Sequence, residues 1–516
     1  MSRGWSSCRG RVLARAGIGV LSWVVSPDLV DEAVGDGLAW EMRLRLLPSR
    51  FGVYFVLGLC LFSGWPYGQV LRELTGGLET VLAAAGWQVP ATTALTAVRR
   101  RIGEAPLESL FRRVCSALSP GRSPWSHVCG LLAVAWDGTT VAAEASAANT
   151  AAFGKPGAPR RRLAHGPGRD DGTAAAQAGC PQLRLVTLVA CGTRGLLDAA
   201  FGPARGKGTG EQQLARQLLA SLGRGMLLIA DRGFYSYPLW TAAAGTGAHL
   251  LWRARNDMHL PVLAELPDGS WLTRINDPRA VRARTHKNGR RRRRGSPLPP
   301  ETGPLPGITV RVIAFTLTVT ADDGSTRAER YRLLTTLTDH QACPAPDLAA
   351  GYARRWAIET GYRECKTYLR GPGRRLRGRT PDLARQELWA YLITYQAIRA
   401  VIARAAAGAG LDPDRISFTA TLHATRRTLP AARDHLHTAL AAVEAEILTT
   451  LVPDRQGRIY PRAVTKPISP YPSRQIRPGP ISQHAQYTAT ITTPGKPAST
   501  STHQDRQPGT TTHQPP

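Results

Sequence analysis

Apolar residues recur every three or four positions in PDLVDEAVGDGLAWEMRLRLL (27–47), a spacing that predicts amphipathic helix over the front of the chain. FGVYFVLGLCLF (51–62) is apolar on every side and predicts a buried helix, well short of the roughly 20 residues that span a bilayer. ALTAVRRRIG and PLESLFRRVCSAL follow as two basic helices joined across Gly103 and Pro106. The pair fits a helix-turn-helix-like arrangement and equally an ordinary helical hairpin with a solvated basic face.

From about residue 130 the period changes. GLLAVAWDGTTV, QLRLVTLVACG, LLDAAFGP, GMLLIADRGF and GAHLLWRAR are short apolar runs separated by turn residues, with the amphipathic helix EQQLARQLLASL between the third and fourth. Strands joined through a helix predict a mixed α/β core, interrupted by a Gly-, Pro- and Arg-rich loop at 151–180. Between about 256 and 345, ITVRVIAFTLTV and ERYRLLTTL flank DDGS as a hairpin, and THKNGRRRRRGSPLPP reads as a solvated basic loop, so this stretch is a β-rich insertion. Helices resume with YARRWAIETGYRECK and PDLARQELWAYLITYQAIRAVIARAAAG. Beyond about 465 a Pro-, Thr-, Ser- and Gln-rich stretch predicts a disordered tail.

Composition narrows the partners. The chain has 516 residues and a net charge of +29, from 66 basic against 37 acidic residues, a field that attracts phosphate backbones. Arg-, Ala- and Gly-rich usage of the kind a GC-rich coding sequence produces accounts for part of that charge, which therefore supports a nucleic-acid partner without proving one. The eight cysteines form no C-x-x-C and the twelve histidines no H-x-x-x-H, so a transition-metal site is not indicated and a reducing cytosol fits. The basic N-terminus lacks a long apolar run and a cleavage site, which predicts a cytoplasmic protein with no membrane partner. GPARGKGTG (202–210) mimics a phosphate loop, but only three residues separate Gly202 from Gly206, and Gly follows Lys207.

Three acids stand where geometry favours chemistry. Asp137 follows LLAVAW and Asp231 follows MLLIA, each at the expected end of a buried strand, where it either caps a turn or is aimed into a cleft by the sheet. Taking 352–366 as one helix at about 100° per residue, Tyr352, Arg355, Glu359 and Lys366 fall within about 60° of one another, whereas Glu364 lies about 140° from Glu359. The bland reading of that face is an Arg–Glu pair on a solvated helix, worth about 0.3 to 0.5 kcal/mol. Two strand-borne aspartates weaken it, because three gathered carboxylates need cations between them. Their hard oxygens suit Mg²⁺, with Mn²⁺ as a substitute, and two such ions about 4 Å apart can drive phosphodiester cleavage and strand transfer.

The spacing Tyr-x2-Arg-x3-Glu-x6-Lys, with DGTT at 137–140 and ADRGFYSYPLW at 230–240, resembles the insertion-element-four family of DDE transposases. GIGVLSWVVSPDLVDEAV and RLRLLPSRFGVYFVLGLCLF resemble that family's N-terminal domain, and PRAVTKPISPYPSR extends the likeness. The resemblance implies an α/β ribonuclease-H-like catalytic core (121–255 and 346–464) holding a β-rich insertion (256–345), after a helical N-terminal DNA-binding domain (1–120) and before the tail (465–516). It implies Asp137, Asp231 and Glu359 as the catalytic, metal-binding triad, with Tyr352, Arg355 and Lys366 binding DNA phosphates. It also implies double-stranded DNA partners, namely inverted-repeat ends and target, engaged by a homodimer in the bacterial cytosol. An insertion-domain Trp that holds a flipped base in related enzymes has Trp252 and Trp271 as candidates here. Ala145 stands where relatives often carry another Asp, and the Arg-rich loop at 158–171 is long. A catalytically silent element-end-binding protein and a hydrolytic nuclease on the same fold are the alternatives.

Overall fold

The computed structural model describes residues 13, 17–36, 47–76, 78–84, 87–117, 124–155, 179–206, 208–294, 303–321, 326–429, 435–453 and 487–492. They divide into two compact units, one built from 1–253 and 351–454 and the other from 254–350 and 455–516.

The first unit is built on a mixed sheet of five main strands, with the short strand His127–Val128 paired beside them. Its strands are β1 (Leu131–Ala142), β2 (Gln182–Ala190), β3 (Leu196–Pro203), β4 (Met226–Ala230) and β5 (His249–Arg253), in spatial order β3-β2-β1-β4-β5. β1 runs antiparallel to β2 and β2 to β3, while β4 lies parallel to β1 and β5 parallel to β4. The central strands are apolar on both faces, as a sheet covered on both sides requires. Asp137 was expected at a strand end. It sits mid-strand, because pairing with β2 carries β1 on through Gly138, Thr139 and Thr140 to Ala142.

The N-terminal helices belong to this same unit. Helix α1 (Ser49–Leu61) is buried along its whole face and packs on a helix of 29 residues, Pro381–Ala409, that is itself buried on nearly all sides. The two basic helices, α2 (Thr92–Ile102) and α3 (Ala105–Ala117), follow one another across Gly103 and Glu104 and pack on different partners, α2 on α1 and α3 on the helix Pro27–Asp36. α3 lies along the Pro381–Ala409 helix, and Arg99 of α2 is 1% exposed. The Arg99 guanidinium donates to Gln386 Oε1 (3.1 Å), to the Leu383 carbonyl (3.3 Å) and to the Tyr67 hydroxyl. Arg113 pairs with Glu32 at 2.6 Å and with Asp36 at 2.5 Å, while Arg112 pairs with Glu108 at 2.8 Å. Much of the basic character read as a solvated or DNA-facing surface is thus spent on partners within the chain.

The second unit is antiparallel. The strand Gly307–Ala321 pairs with Trp271–Asn276, with Thr326–Thr335 and with Tyr487–Thr492. The DDGS turn of the expected hairpin lies outside the described residues, but Thr320 opposite Thr326 shows where it closes. Arg311 is fully buried at the centre of this unit, held by Asp268, by Ser270 Oγ at 2.8 Å and by the Cys343 carbonyl at 2.7 Å.

Two expectations change here. Of the basic stretch read as a loop, residues 285–293 belong to a helix, Pro278–Arg293, because Asp277 caps it by accepting from the Arg279 N–H at 2.8 Å, Pro278 occupies its first turn, and Ala and Arg favour helix; residues 295–300 lie outside the described residues. The stretch read as a disordered tail contains Tyr487–Thr492, whose Thr- and Ile-bearing sequence suits a strand; the rest of that stretch lies outside the described residues. No helix among the described residues is long and apolar enough to cross a membrane.

Candidate active site

All six candidate residues lie in the first unit. β1 and β4 run side by side in parallel with Ala135 opposite Ile229, so two residues further on Asp137 and Asp231 stand at the same level on neighbouring strands. Neither behaves as a turn cap. The Asp231 side chain caps no helical turn, and Asp137 Oδ1 accepts only the adjacent Gly138 N–H, at 2.8 Å.

The segment carrying Glu359 is not one uniform helix. A helix ends at Tyr352, a 3-10 turn covers Ala353–Arg355, the α-helix Trp356–Arg363 follows, and a π turn covers Glu364–Leu369. A tight turn overwinds the chain and a wide one underwinds it, so their errors in phase partly offset each other. The side chains accordingly still meet β1. Arg355 Nη1 lies 3.8 Å from Asp137 Oδ2 and Arg355 Nη2 lies 3.2 Å from Glu359 Oε1. Lys366 Nζ donates to Thr139 Oγ1 at 2.9 Å.

Arg355 is the electrostatic centre. Burial works against its charge, but Tyr352, Asp231, Glu359 and Asp137 outweigh burial and hold its pKa above the ordinary value. Burial pushes the Asp137 carboxyl up to about 6, against the Gly138 N–H and Arg355, with Glu359 and Glu211 adding to the rise. Burial also raises the Tyr352 hydroxyl, opposed by Arg355 and reinforced by Asp231. Lys366 is half-buried, which lowers its pKa, as does Arg370. Acids on two strands and a helix therefore face one guanidinium, with a second cation bound to the strand two residues beyond Asp137.

Two family models match: one described as insertion element 4 transposase N-terminal, over residues 15–112, and one described as transposase DDE domain, over residues 130–396. The chain belongs to the insertion-element-four family of DDE transposases. This DDE transposase is 27% identical over 459 residues, 87% of its own chain and 92% of the relative, to the transposase InsG for insertion sequence element IS4 of Escherichia coli K12. A putative transposase InsZ of the same strain is 28% identical over 41% of this chain and 62% of the relative. The cryo-EM structure of the piggyBac transposase synaptic complex with hairpin DNA aligns at TM-score 0.37 and 9% identity over 82% of this chain and 84% of that one, too loose a likeness to carry a conclusion.

The transposase holds its site with residues that the sequence reading passed over. Tyr362, one turn beyond Glu359, donates its hydroxyl to the Asp137 carbonyl at 2.5 Å and accepts from Thr187 Oγ1 at 2.9 Å. Its spacing of three from Glu359 places it on the same helix face and was the available signal. Glu211 packs over Gly138 so closely that a Cβ there would lie 2.4 Å from its carboxylate. Glu364 points away from the acids and is buried against Arg194 (2.7 Å) and Arg399 (3.7 Å), with the Tyr395 hydroxyl at 3.3 Å. That buried cluster anchors the π turn carrying Lys366.

Of the two tryptophans, Trp252 is not available to a base. It is fully buried on β5, 5.7 Å from Trp136 and 5.1 Å from Trp240 between ring centroids. Trp271, on the strand Trp271–Asn276 of the second unit, is half-buried. The Arg-rich loop at 158–171 lies outside the described residues.

Proposed function

We propose that this chain is a ribonuclease-H-like transposase that binds the inverted-repeat ends of its own element, cleaves them and joins the freed 3′-hydroxyls to target DNA by a cut-and-paste route. The observation that carries the reading is the parallel register of β1 and β4, which sets Asp137 level with Asp231, together with Arg355 bridging Asp137 and Glu359. The strand order β3-β2-β1-β4-β5, with only the first two pairings antiparallel, supports the ribonuclease-H-like assignment.

The donor set fits a divalent cation such as Mg²⁺. Three carboxylates offer hard oxygens, and burial makes Asp137 costly to ionise unless positive charge stands beside it. Among the described residues no three such side chains stand ready as a metal-ion group, and Arg355 supplies the positive charge between Asp137 and Glu359. When bound, the metal would activate the attacking oxygen and stabilise the leaving one. The protein's own part is positional. Asp137, Asp231 and Glu359 would hold the cations on rigid strands and a helix, Tyr352 and Arg355 would receive the phosphate beside the cut, and Lys366 would hold a neighbouring phosphate from its place at Thr139. Two copies of the chain would pair the two ends of the element.

Incubating purified protein with Mg²⁺ and DNA that carries the inverted repeats flanking its gene tests this reading. Nicking at the repeat ends, lost in Glu359→Gln, is expected. Equal cleavage by both proteins, or binding of the ends without cleavage under any metal condition, would leave a silent end-binding protein as the better account.

A further inference from the structure

The helix Pro278–Arg293 reads PRAVRARTHKNGRRRR, with no acidic residue and no buried residue among its 16. At about 1.5 Å per residue it is about 24 Å long. Most surface helices owe their stability to an apolar stripe packed on a core. This one has none, and Val281 is its only large exposed hydrophobic residue. Locally it is held by the Asp277 cap, by Pro278 in the first turn, and by Arg290, Arg291, Arg292 and Arg293, whose charge suits the negative end of the helix dipole.

Basic residues lie on every side of the helix, and five of them line up as one stripe. At about 100° per residue, Arg279, Arg282, His286, Arg290 and Arg293 fall within an arc of about 80°, a stripe about 21 Å long. Among the described residues, Arg279, Arg282, Arg290 and Arg293 stand in no ion pair, whereas Arg99, Arg112 and Arg113 of the N-terminal helices are spent on carboxylates. Like charges three and four residues apart repel by a few tenths of a kcal/mol per pair, a strain that a row of anions would relieve.

We infer that the helix Pro278–Arg293 is a docking surface for the phosphate backbone of duplex DNA, bound without regard to base sequence. The choice of DNA over another polyanion rests on the transposase reading above. The surface itself rests on the exposure and density of the charges. A lipid surface fits less well, because a helix that lies in a membrane interface buries an apolar face, and this helix lacks one. The arginines supply forked donors for phosphate oxygens, and each phosphate neutralised on duplex DNA releases counterions.

The test uses the full chain and its Arg279→Gln/Arg282→Gln/Arg290→Gln/Arg293→Gln variant, checked by circular dichroism for an unchanged fold. Binding to a fluorescent duplex of random sequence is measured across a KCl series, beside duplex RNA and phosphatidylserine vesicles. A loss of four phosphate contacts would lower the slope of log K against log salt by about 3 to 4, with weaker binding at low salt. An unchanged slope and affinity would overturn the inference, as would a variant defect confined to RNA or vesicles. Cleavage of the repeat ends is scored in parallel. If wild type cleaves nothing while the variant loses its salt slope, the transposase reading fails and the surface stands. If the ends are cleaved while the slope is unchanged, the surface fails and the reading stands.

Discussion

The Tyr362 hydroxyl donates to the main-chain carbonyl of Asp137 at 2.5 Å, tying the helix of Glu359 to the strand of Asp137 through one half-buried bond. Its second partner, Thr187, sits opposite Asp137 on β2, so the link reaches three elements. Tyr362→Phe keeps the ring but orphans the Asp137 carbonyl and the Thr187 hydroxyl. It should cost about 1 to 3 kcal/mol in urea unfolding. End cleavage should fall further than that loss explains, with the defect eased at high Mg²⁺ if the acids have merely lost their register. A Phe variant with unchanged stability and rate would mean that the bond positions nothing.

Arg355 supplies the charge that the acids otherwise lack. In Arg355→Gln, Asp137 and Glu359 lose their shared cation, and the unfolding temperature without metal should drop. Mg²⁺ should then stabilise the variant more than wild type, since ligand stabilisation grows as RT ln(1 + [L]/Kd) and the vacated site binds the ion more readily. Thermal melts across a Mg²⁺ series check this. A variant that gains no more from Mg²⁺ than wild type contradicts the shared site.

Asp137 gives a pH dependence of defined sign. Its folded-state pKa is pushed up to about 6, from 3.8, first by burial. The folded protein therefore holds this proton more tightly than the unfolded chain does. The carboxyl costs nothing below about pH 4, where both states are protonated, and costs most above pH 6, where both are ionised. At about 1.4 kcal/mol per tenfold change, the full cost is about 2 to 3 kcal/mol. Asp137→Asn should therefore be more stable than wild type at pH 8 and lose that advantage as pH falls from 6 towards 4. Denaturation at several pH values measures it, and an advantage that grows in acid would reverse the sign.

Much of this was legible in the sequence, and the failures share a physical cause. The five core strands stood out because each is a short apolar run between turn residues, and both aspartates follow such runs directly. The antiparallel partner that extends β1 past Asp137 is 40 to 48 residues away in sequence, and no local pattern shows it. The basic helix was misread because a run of arginines looks solvated, and it is solvated; its helicity comes from a cap at Asp277 and from backbone propensity, which charge obscures. Trp252 was singled out by likeness alone, and its burial among Trp136 and Trp240 is a property of the folded sheet. Tyr362 was within reach of helical spacing, but its value depends on the carbonyl it meets.

Glu364 is the other acid of the YARRWAIETGYRECK stretch, and its role is structural. It is buried with Arg194 and Arg399, and Arg194 also pairs with Asp414 at 2.6 Å. Glu364→Gln leaves two buried guanidinium groups short of charge and should cost about 3 to 5 kcal/mol in chemical denaturation, the usual penalty for breaking one side of a buried pair. A cost below 1 kcal/mol would show that the cluster does not anchor the π turn.

The most direct measurement is metal-dependent cleavage of a repeat-end duplex by wild type and by Asp137→Asn, Asp231→Asn and Glu359→Gln, with duplex binding recorded for each. Loss of a partner one step removed from a metal already costs 10- to 100-fold, so loss of any one of these proposed ligands should reduce the rate below about a hundredth of wild type while the DNA remains bound. Cleavage at the wild-type rate by any one of the three variants would contradict the account.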